Sequence, residues 1–248
     1  MALEIEIARK AFPLASGGER VIFGGISLSV AEGAVVALLG PSGCGKSTLL
    51  RIVAGLDHAF AGTVRNDART IGMAFQEPRL LPWRTIADNL RLAAPALTDA
   101  GMREWLAAFE LAGHEGDVPG QLSLGLARRA ALARAFAVGP DLLLLDEPFA
   151  SLDRALHRRL RDLLAARIDD EKSTARKITA LIATHDIDDA LLLADEVIFL
   201  GGAPARILGR LPIAAPRGAR DEELTNLRRL AARFQVIGAP ENAKSEHA

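Results

Sequence analysis

A glycine-rich stretch near the start of the chain has the residue types needed to bind a polyphosphate. It follows the apolar run 34–39 and precedes the apolar spacing of a helix. A strand–loop–helix of this kind aims backbone N–H groups and a helix N-terminus at one point. Lys46 would reach the outer phosphates, and the Ser47 hydroxyl would take one coordination place on Mg²⁺. The loop consists of Gly40, Pro41, Ser42, Gly43, Cys44, Gly45, Lys46, Ser47 and Thr48.

An aliphatic run that ends in two carboxylates indicates the second half of the same chemistry. Leu142–Leu145 precede Asp146 and Glu147 directly. Asp146 is expected beside the Mg²⁺ ion, and Glu147 beside the γ-phosphate, where it can polarise an attacking water. The glycine loop alone fits kinases, GTPases, helicases and transport ATPases. The pair of acids favours hydrolysis of a nucleoside triphosphate.

Three further residues follow in an order and spacing that are typical of one family. Gln76 follows Phe75, Asp153 ends the stretch 150–153, and His185 comes directly after Thr184. With the two motifs above, the chain resembles the nucleotide-binding subunits of ABC transporters, from about residue 3 to about residue 202. The resemblance implies ATP and Mg²⁺ as cofactors and ATP hydrolysis as the activity.

The resemblance also implies a role for each residue. Gln76 would bridge metal, water and backbone, and His185 would bind the γ-phosphate and orient Glu147 or the water. Phe12 is the candidate for stacking on adenine because the chain has no tyrosine, although it could also fill the core. The expected catalytic residues are Glu147, His185 and Gln76; the metal ligands are Ser47, Gln76 and Asp146; and the nucleotide contacts are Phe12, residues 40–48, Ser123, Gly125 and Asp153.

The family's signature sequence, LSGGQ, is altered in this chain. Leu124 and Leu126 replace its first glycine and its glutamine. Ser123 can still cap the following helix, and Gly125 still leaves a backbone N–H that phosphate can approach. In the family these residues contact ATP held by a second subunit, which implies a head-to-tail homodimer. The added leucines leave open a slow-hydrolysing regulatory or soluble switch as the alternative function.

The segment after Gln76 resembles that of import cassettes of the nitrate, sulfonate and taurine type. Leu80, Leu81 and Trp83 lie among prolines in a stretch too irregular for a helix or strand. In those importers this surface receives a short helix of the transmembrane permease, so permease subunits and, indirectly, a solute-binding protein are the expected partners. The alternative is that the three side chains pack beneath the neighbouring helices.

The order of predicted elements indicates an α/β fold. Combined with the resemblance, it predicts a P-loop NTPase of the ABC type with an N-terminal antiparallel β subdomain and an inserted α-helical subdomain. The predicted domain covers residues 1–238, with the helical insert at about 85–137 and a C-terminal helical extension at about 217–236. Residues 239–248 are predicted to be a disordered tail.

Composition excludes several classes of protein. The 248 residues carry a net charge of -1 without a basic block, so nucleic acid is not an expected partner. One cysteine excludes an internal disulfide. The sequence has no apolar run of the ~18 residues that cross a bilayer. Together with the resemblance, this predicts a peripheral protein at the cytoplasmic face of the inner membrane.

Overall fold

The computed structural model describes residues 3–150, 152–169 and 178–235, so the predicted tail at 239–248 lies outside the described residues. The chain forms two compact units: residues 1–67 with 182–248, and residues 68–181.

The helices and strands follow one another along the chain in this order. The elements are β1 (Leu3–Pro13), β2 (Glu19–Phe23), β3 (Ile26–Val30), β4 (Val35–Leu39), α1 (Lys46–Val53), β5 (Ala61–Asn66), β6 (Ile71–Ala74), α2 (Ile86–Ala93), α3 (Asp99–Ala108), α4 (Leu124–Ala137), β7 (Leu142–Asp146), α5 (Arg154–Asp169), β8 (Thr179–Thr184), α6 (Ile187–Leu193), β9 (Glu196–Gly201), β10 (Arg206–Pro212) and α7 (Arg220–Gln235). Short 3-10 turns lie at Pro119–Gln121 and Arg217–Ala219.

The first unit contains the predicted antiparallel subdomain. β1 pairs antiparallel with β2, β3 and β5. The alternation of buried Leu3, Ile5 and Ile7 with more exposed residues in β1 is the period-two pattern of a strand with one face on the core. The prediction of an N-terminal antiparallel sheet is therefore confirmed.

The first unit also contains the strand that leads into the glycine loop. β4 is buried at all five positions and pairs in parallel with β9, as its continuous apolar run predicts. β10 pairs antiparallel with the other edge of β9. No sequence pattern predicts β10. Leu211 is the one buried residue of this strand, and Gly209 interrupts its alternation of side chains.

The second unit consists of parallel strands and a helical layer. β6 and β7 pair in parallel, and β7 is buried throughout. The helical insert predicted at 85–137 contains three separate helices, α2, α3 and α4. Trp105, Phe109 and Phe136 form a ring cluster that joins α3 to α4, with centroids 5.7 to 6.2 Å apart.

No helix within the described ranges has the length and apolar character that a membrane crossing requires.

Candidate nucleotide-binding site

The glycine loop joins the end of β4 to the start of α1, as predicted. Gly45 is the N-cap of α1 with φ of 103°. A Cβ on Gly45 would lie 2.7 Å from the side chains of Ile22 and Phe23, and a Cβ on Gly40 would lie 2.4 Å from the Leu200 carbonyl oxygen. Both positions therefore require glycine, for conformation at Gly45 and for close approach at both.

The start of α1 has the electrostatic character of an anion site. Among the described residues, no side chain caps the helix at Gly45, and its first turn contains no acidic residue. The positive end of its dipole is thus not offset by an acidic side chain of the helix itself, which favours an anion there. Lys46 is 5% exposed, and its Nζ donates to the carbonyls of Gly40, at 2.7 Å, and Pro41, at 3.2 Å. Its charge is held over the loop, where a phosphate would bind.

His185 lies at a turn whose backbone is fixed on its C-terminal side. The side chain is exposed and follows the last residue of β8. The Asp186 N–H donates to Thr184 Oγ1 at 3.0 Å, and Asp186 Oδ1 accepts from the N–H groups of Asp188, at 2.8 Å, and Asp189, at 3.2 Å. Asp186 is thus the N-cap of α6, and this cap sets where His185 leaves the strand.

Phe12 is 39% exposed, which leaves part of its ring available for stacking. The Lys10 ammonium lies 4.5 Å from the ring centroid, so one face of the ring has a cation–π partner. The stacking role stays a prediction. Phe12 is not a fully buried core residue.

Lys10 is a buried charged residue that no sequence pattern singles out. Its side chain is 1% exposed, and its Nζ donates to Asp57 Oδ1 at 2.6 Å and to the Ala59 carbonyl at 2.9 Å. Burial raises the pKa of the Asp57 carboxyl, but the hydrogen bonds from Lys10 and from the Ala59 N–H, together with the charges of Lys10 and His58, lower this pKa by more. A register shift between Ile7 and Arg9 in the β1–β5 pairing turns Lys10 inward, whereas simple alternation would place it outside.

In the second unit, the two acids end the buried strand as predicted. Asp146 is 3% exposed. Glu147, the next residue, has φ of 49°, a left-handed conformation that is uncommon outside glycine. The Ala150 N–H donates to the Glu147 carbonyl at 3.2 Å and closes a turn. Such an outlier at the end of a strand points to a functional position.

Gln76 lies at the same edge of the sheet as Glu147. β6 and β7 are parallel neighbours, with Ala74 opposite Leu145. Gln76 and Glu147 each come two residues after these partners. The carboxyl end of parallel strands is where ligands of α/β proteins bind, so this placement supports the predicted roles of both residues.

The altered signature starts a helix, as predicted. Ser123 Oγ accepts from the Leu126 N–H at 3.3 Å and caps α4. A Cβ on Gly125 would find its nearest neighbours, in Leu152 and Ser123, at 3.9 Å, so packing within the described chain does not require glycine there. Leu124 is 54% exposed. The space around Gly125 suits a group from outside the chain.

Asp153 has a structural role that the family resemblance did not imply. Its Oδ1 accepts from the N–H groups of Ala155 and Leu156, both at 3.0 Å, at the start of α5. The hydrogen bond from Leu156 lowers the pKa of the Asp153 carboxyl, and the Ala155 N–H adds to this effect. Contact with nucleotide stays a prediction for Asp153.

The predicted site residues are divided between the two units. The first unit carries the glycine loop, Phe12 and His185, and the second carries Gln76, Ser123, Gly125, Asp146, Glu147 and Asp153. Within the second unit, strand pairing places Gln76 and Glu147 at one edge.

Comparison with known proteins agrees with these observations. The family model described as "ABC transporter" matches residues 23–150. The aliphatic sulfonates import ATP-binding protein SsuB 1 of Pseudomonas aeruginosa (strain UCBPP-PA14) is 45% identical over 242 residues, which cover 91% of this chain and 93% of that protein. An SsuB 2 of Burkholderia cenocepacia is 43% identical over 94% of this chain and 87% of its own length.

Solved structures show the same fold. The ATP-binding cassette MJ0796, in a dimeric post-hydrolysis state bound to ADP and Pi, superposes with a TM-score of 0.76 at 26% identity, over 86% of this chain and all of that chain. A transporter described as a putative metal-chelate type ABC transporter has a TM-score of 0.64 at 22% identity, over 92% of this chain and 89% of its own. The fold predicted from the sequence is confirmed, and the chain belongs to the ABC transporter family as one of its ATP-binding cassettes.

Proposed function

We propose that this ABC ATPase supplies the energy for import of a small aliphatic sulfonate, as a peripheral subunit on the cytoplasmic face of the inner membrane. The observation that carries the proposal is the 45% identity to a sulfonate import ATP-binding protein over 91% of the chain. The intact glycine loop, with Lys46 held over it, supplies the binding chemistry. Nitrate and other small solutes are the competing substrates.

The residues fit ATP and Mg²⁺. The hydroxyl of Ser47, the amide of Gln76 and the carboxylate of Asp146 are hard oxygen donors of the kind that Mg²⁺ prefers. Bound Mg²⁺ would neutralise charge on the phosphates. The N–H groups of the loop and Lys46 would hold the phosphates in place.

We expect hydrolysis to be carried out by two polar residues, Glu147 after β7 and His185 after β8. Glu147 accepts a hydrogen bond from a water, whose oxygen attacks the γ-phosphorus as the bond to the β–γ bridging oxygen breaks. His185 donates to the γ-phosphate and orients the water. The products are ADP and inorganic phosphate.

A homodimer would complete each site. Ser123 and Gly125 of one subunit would contact ATP held by the glycine loop of the other. The open space around Gly125 supports this role, as does the dimeric state of the MJ0796 cassette. Binding of ATP between subunits would stabilise the closed dimer by linkage, and hydrolysis would release it.

The segment from Leu80 to Trp83 is the proposed contact with the permease. Trp83 is 72% exposed, whereas Leu80 and Leu81 are half-buried. The buried Asn89 shapes the segment: its Nδ2 donates to the carbonyls of Leu81 and Thr85, and its Oδ1 accepts from the Leu81 N–H at 2.7 Å. An exposed tryptophan on a fixed backbone loses little entropy on binding and makes a strong anchor.

An open groove beside this segment extends the proposed contact. It has a volume of about 480 Å³, and its lining includes Thr85, Arg91, Met102 and Arg103. Met102 offers an adaptable apolar contact. The charges of the lining are mixed, because Asp99 and Glu115 also line the groove and Arg91 pairs with Asp99 at 2.7 Å, so the groove suits a helix end with apolar and neutral polar groups.

The test is uptake of a labelled aliphatic sulfonate by cells in which this chain replaces the native cassette of a sulfonate importer. The wild-type chain should restore sulfonate uptake in that strain, and it should not restore nitrate uptake in a matched strain in which it replaces the cassette of a nitrate importer. Trp83→Ala should lower uptake at least tenfold while leaving nucleotide affinity unchanged, because it truncates a proposed docking anchor and leaves every residue of the glycine loop in place. Leu56→Ala, which truncates another exposed apolar side chain, is the matched control.

Uptake that is unaffected by Trp83→Ala would contradict the docking surface alone. Lys46→Ala tests the nucleotide-binding site separately from the docking surface, since it should abolish nucleotide binding and uptake together. Undiminished nucleotide affinity in Lys46→Ala would overturn the ATPase site itself.

The slow-hydrolysing switch remains the second candidate, and the exposed Leu124 favours it. A leucine at a position where the family has glycine adds bulk where a second subunit must come close. The two functions differ in turnover. An energy-coupling ATPase hydrolyses ATP far faster than its Glu147→Gln variant, whereas a switch hydrolyses it at a similar rate.

A further inference from the structure

The C-terminal part of the chain contacts the helix that follows His185. α7 packs against α6 and β10, with Leu227 and Ala231 buried. Phe234 of α7 stacks on Phe199 of β9, with ring centroids 4.9 Å apart. The helix predicted from acids at 221–223 and apolar spacing is therefore a packed part of the first unit. The sequence predicts no function for it.

An ion pair joins α7 to the first turn of α6. Arg228 donates from Nε to Asp188 Oδ1 at 2.7 Å and from Nη2 to Asp188 Oδ2, which makes the pair bidentate. The backbone N–H of Asp188 also donates to the cap residue Asp186. Arg228 thus holds the residue that lies three positions after His185.

Two other arginines hold the C-terminal end of α6. Arg217 Nε donates to the Leu193 carbonyl at 2.6 Å, and Arg220 Nη1 donates to the carbonyls of Leu192 at 3.2 Å and Ala194 at 2.8 Å. These carbonyls carry the partial negative charge of a helix C-terminus, which cations stabilise. Arg220 is 2% exposed, so this contact is part of the core.

Asp195 links the same arginines to the strand that precedes the glycine loop. Its carboxylate accepts from Arg217 Nη2 at 2.7 Å, from Arg220 Nη2 at 3.2 Å and from the Val35 N–H at 2.9 Å. Val35 is the first residue of β4. α6 is therefore held at both ends by a segment that is also tied to the base of the loop.

We propose that residues 217–235 are a positioning element for His185, and that Arg228 is the positioning residue at the N-terminal end of α6. The inference rests on the proposed role of His185 in hydrolysis. Because Arg228 and Asp188 are partly exposed, with side chains 51% and 34% accessible, their pair adds little to global stability. Its planar fork instead restricts how α6 and the preceding turn can rotate. Its loss should therefore appear in turnover more than in unfolding.

The experiment measures steady-state ATP turnover and nucleotide affinity of the full 248-residue chain. Arg228→Ala should lower kcat about three- to tenfold and leave ATP affinity and the thermal unfolding midpoint close to wild type. Arg228→Lys, which can reach one carboxylate oxygen, should retain more turnover. Arg229→Ala removes the same charge from the next, exposed position and should behave as wild type.

A double-mutant comparison tests whether Arg228 affects turnover through His185. In a His185→Ala background, Arg228→Ala should cause no further loss of turnover, because both changes act through His185. An equal loss in both backgrounds, or Arg228→Ala turnover equal to that of Arg229→Ala, overturns the positioning role alone. Wild-type turnover in His185→Ala overturns the proposed role of His185 itself.

Discussion

Two adjacent arginines of α4 have different surroundings. Arg129 Nη1 donates to the carbonyls of Phe109, at 3.3 Å, and Glu110, at 2.9 Å, and it pairs with the Glu110 carboxylate. Arg128 Nε and Nη1 are buried and have no hydrogen-bond partner in the described structure, and the same holds for Arg129 Nε. A buried donor without a partner costs about 1–3 kcal/mol, so the two side chains should differ in their contribution to stability.

Replacement by methionine tests this difference. Arg129→Met should lower the free energy of unfolding by about 1–3 kcal/mol, because the part-buried Phe109 carbonyl and the Glu110 carbonyl lose a charged donor. Arg128→Met should leave it unchanged or raise it, because it removes donors that have no acceptor. Urea unfolding of both variants is the measurement. A lower midpoint for Arg128→Met than for Arg129→Met would contradict the assignment.

At the scale of elements, side-chain caps decide where the helices of the second unit start. Thr85, Thr98 and Ser123 each accept a backbone N–H in the first turn of α2, α3 and α4. Asp153 does the same at α5 with a charged oxygen. Its carboxylate is better suited to the positive end of a helix than a neutral cap would be.

The charge of Asp153 makes part of the stability depend on pH. Its pKa is lowered from the ordinary 3.8, so its stabilising effect is fully present above that pH and is lost as the pH falls through the lower, folded value. Asp153→Asn keeps a capping oxygen without the charge. Wild type should exceed this variant in urea midpoint by a constant amount from pH 7 to about 5. The difference should shrink below pH 4, and a constant difference there would exclude a role for the charge.

At the scale of the whole molecule, ATP binding and subunit association should be linked. Each chain carries one glycine loop and one signature segment, so the proposed homodimer would need two chains for a complete pair of sites. A variant that binds ATP but cannot cleave it should therefore stay dimeric.

Glu147→Gln is that variant. Its turnover should fall at least about a hundredfold, as is usual on loss of a catalytic base. It should sediment as a dimer with ATP and as a monomer with ADP. Glu104→Gln, at an exposed position of α3, should match wild type in both assays. Equal turnover of wild type and Glu147→Gln would favour the switch function.

Features that depend on residues close together in the chain could be predicted from the amino-acid sequence. The strand–loop–helix at 34–53, the buried strand before Asp146, the cap at Ser123 and the helix at 220–235 follow from apolar spacing, glycine and capping side chains. Local rules suffice there because each element carries its own burial pattern and its own end signals.

Features that depend on partners distant in the chain are evident only in the folded protein. Lys10 turns inward because the β1–β5 register shifts beside it, and β10 exists because β9 offers an edge. The left-handed backbone of Glu147 and the contacts of Arg220 with carbonyls 26 and 28 residues before it leave no mark on local spacing. These features arise from interactions between distant segments, which periodicity along the chain cannot report.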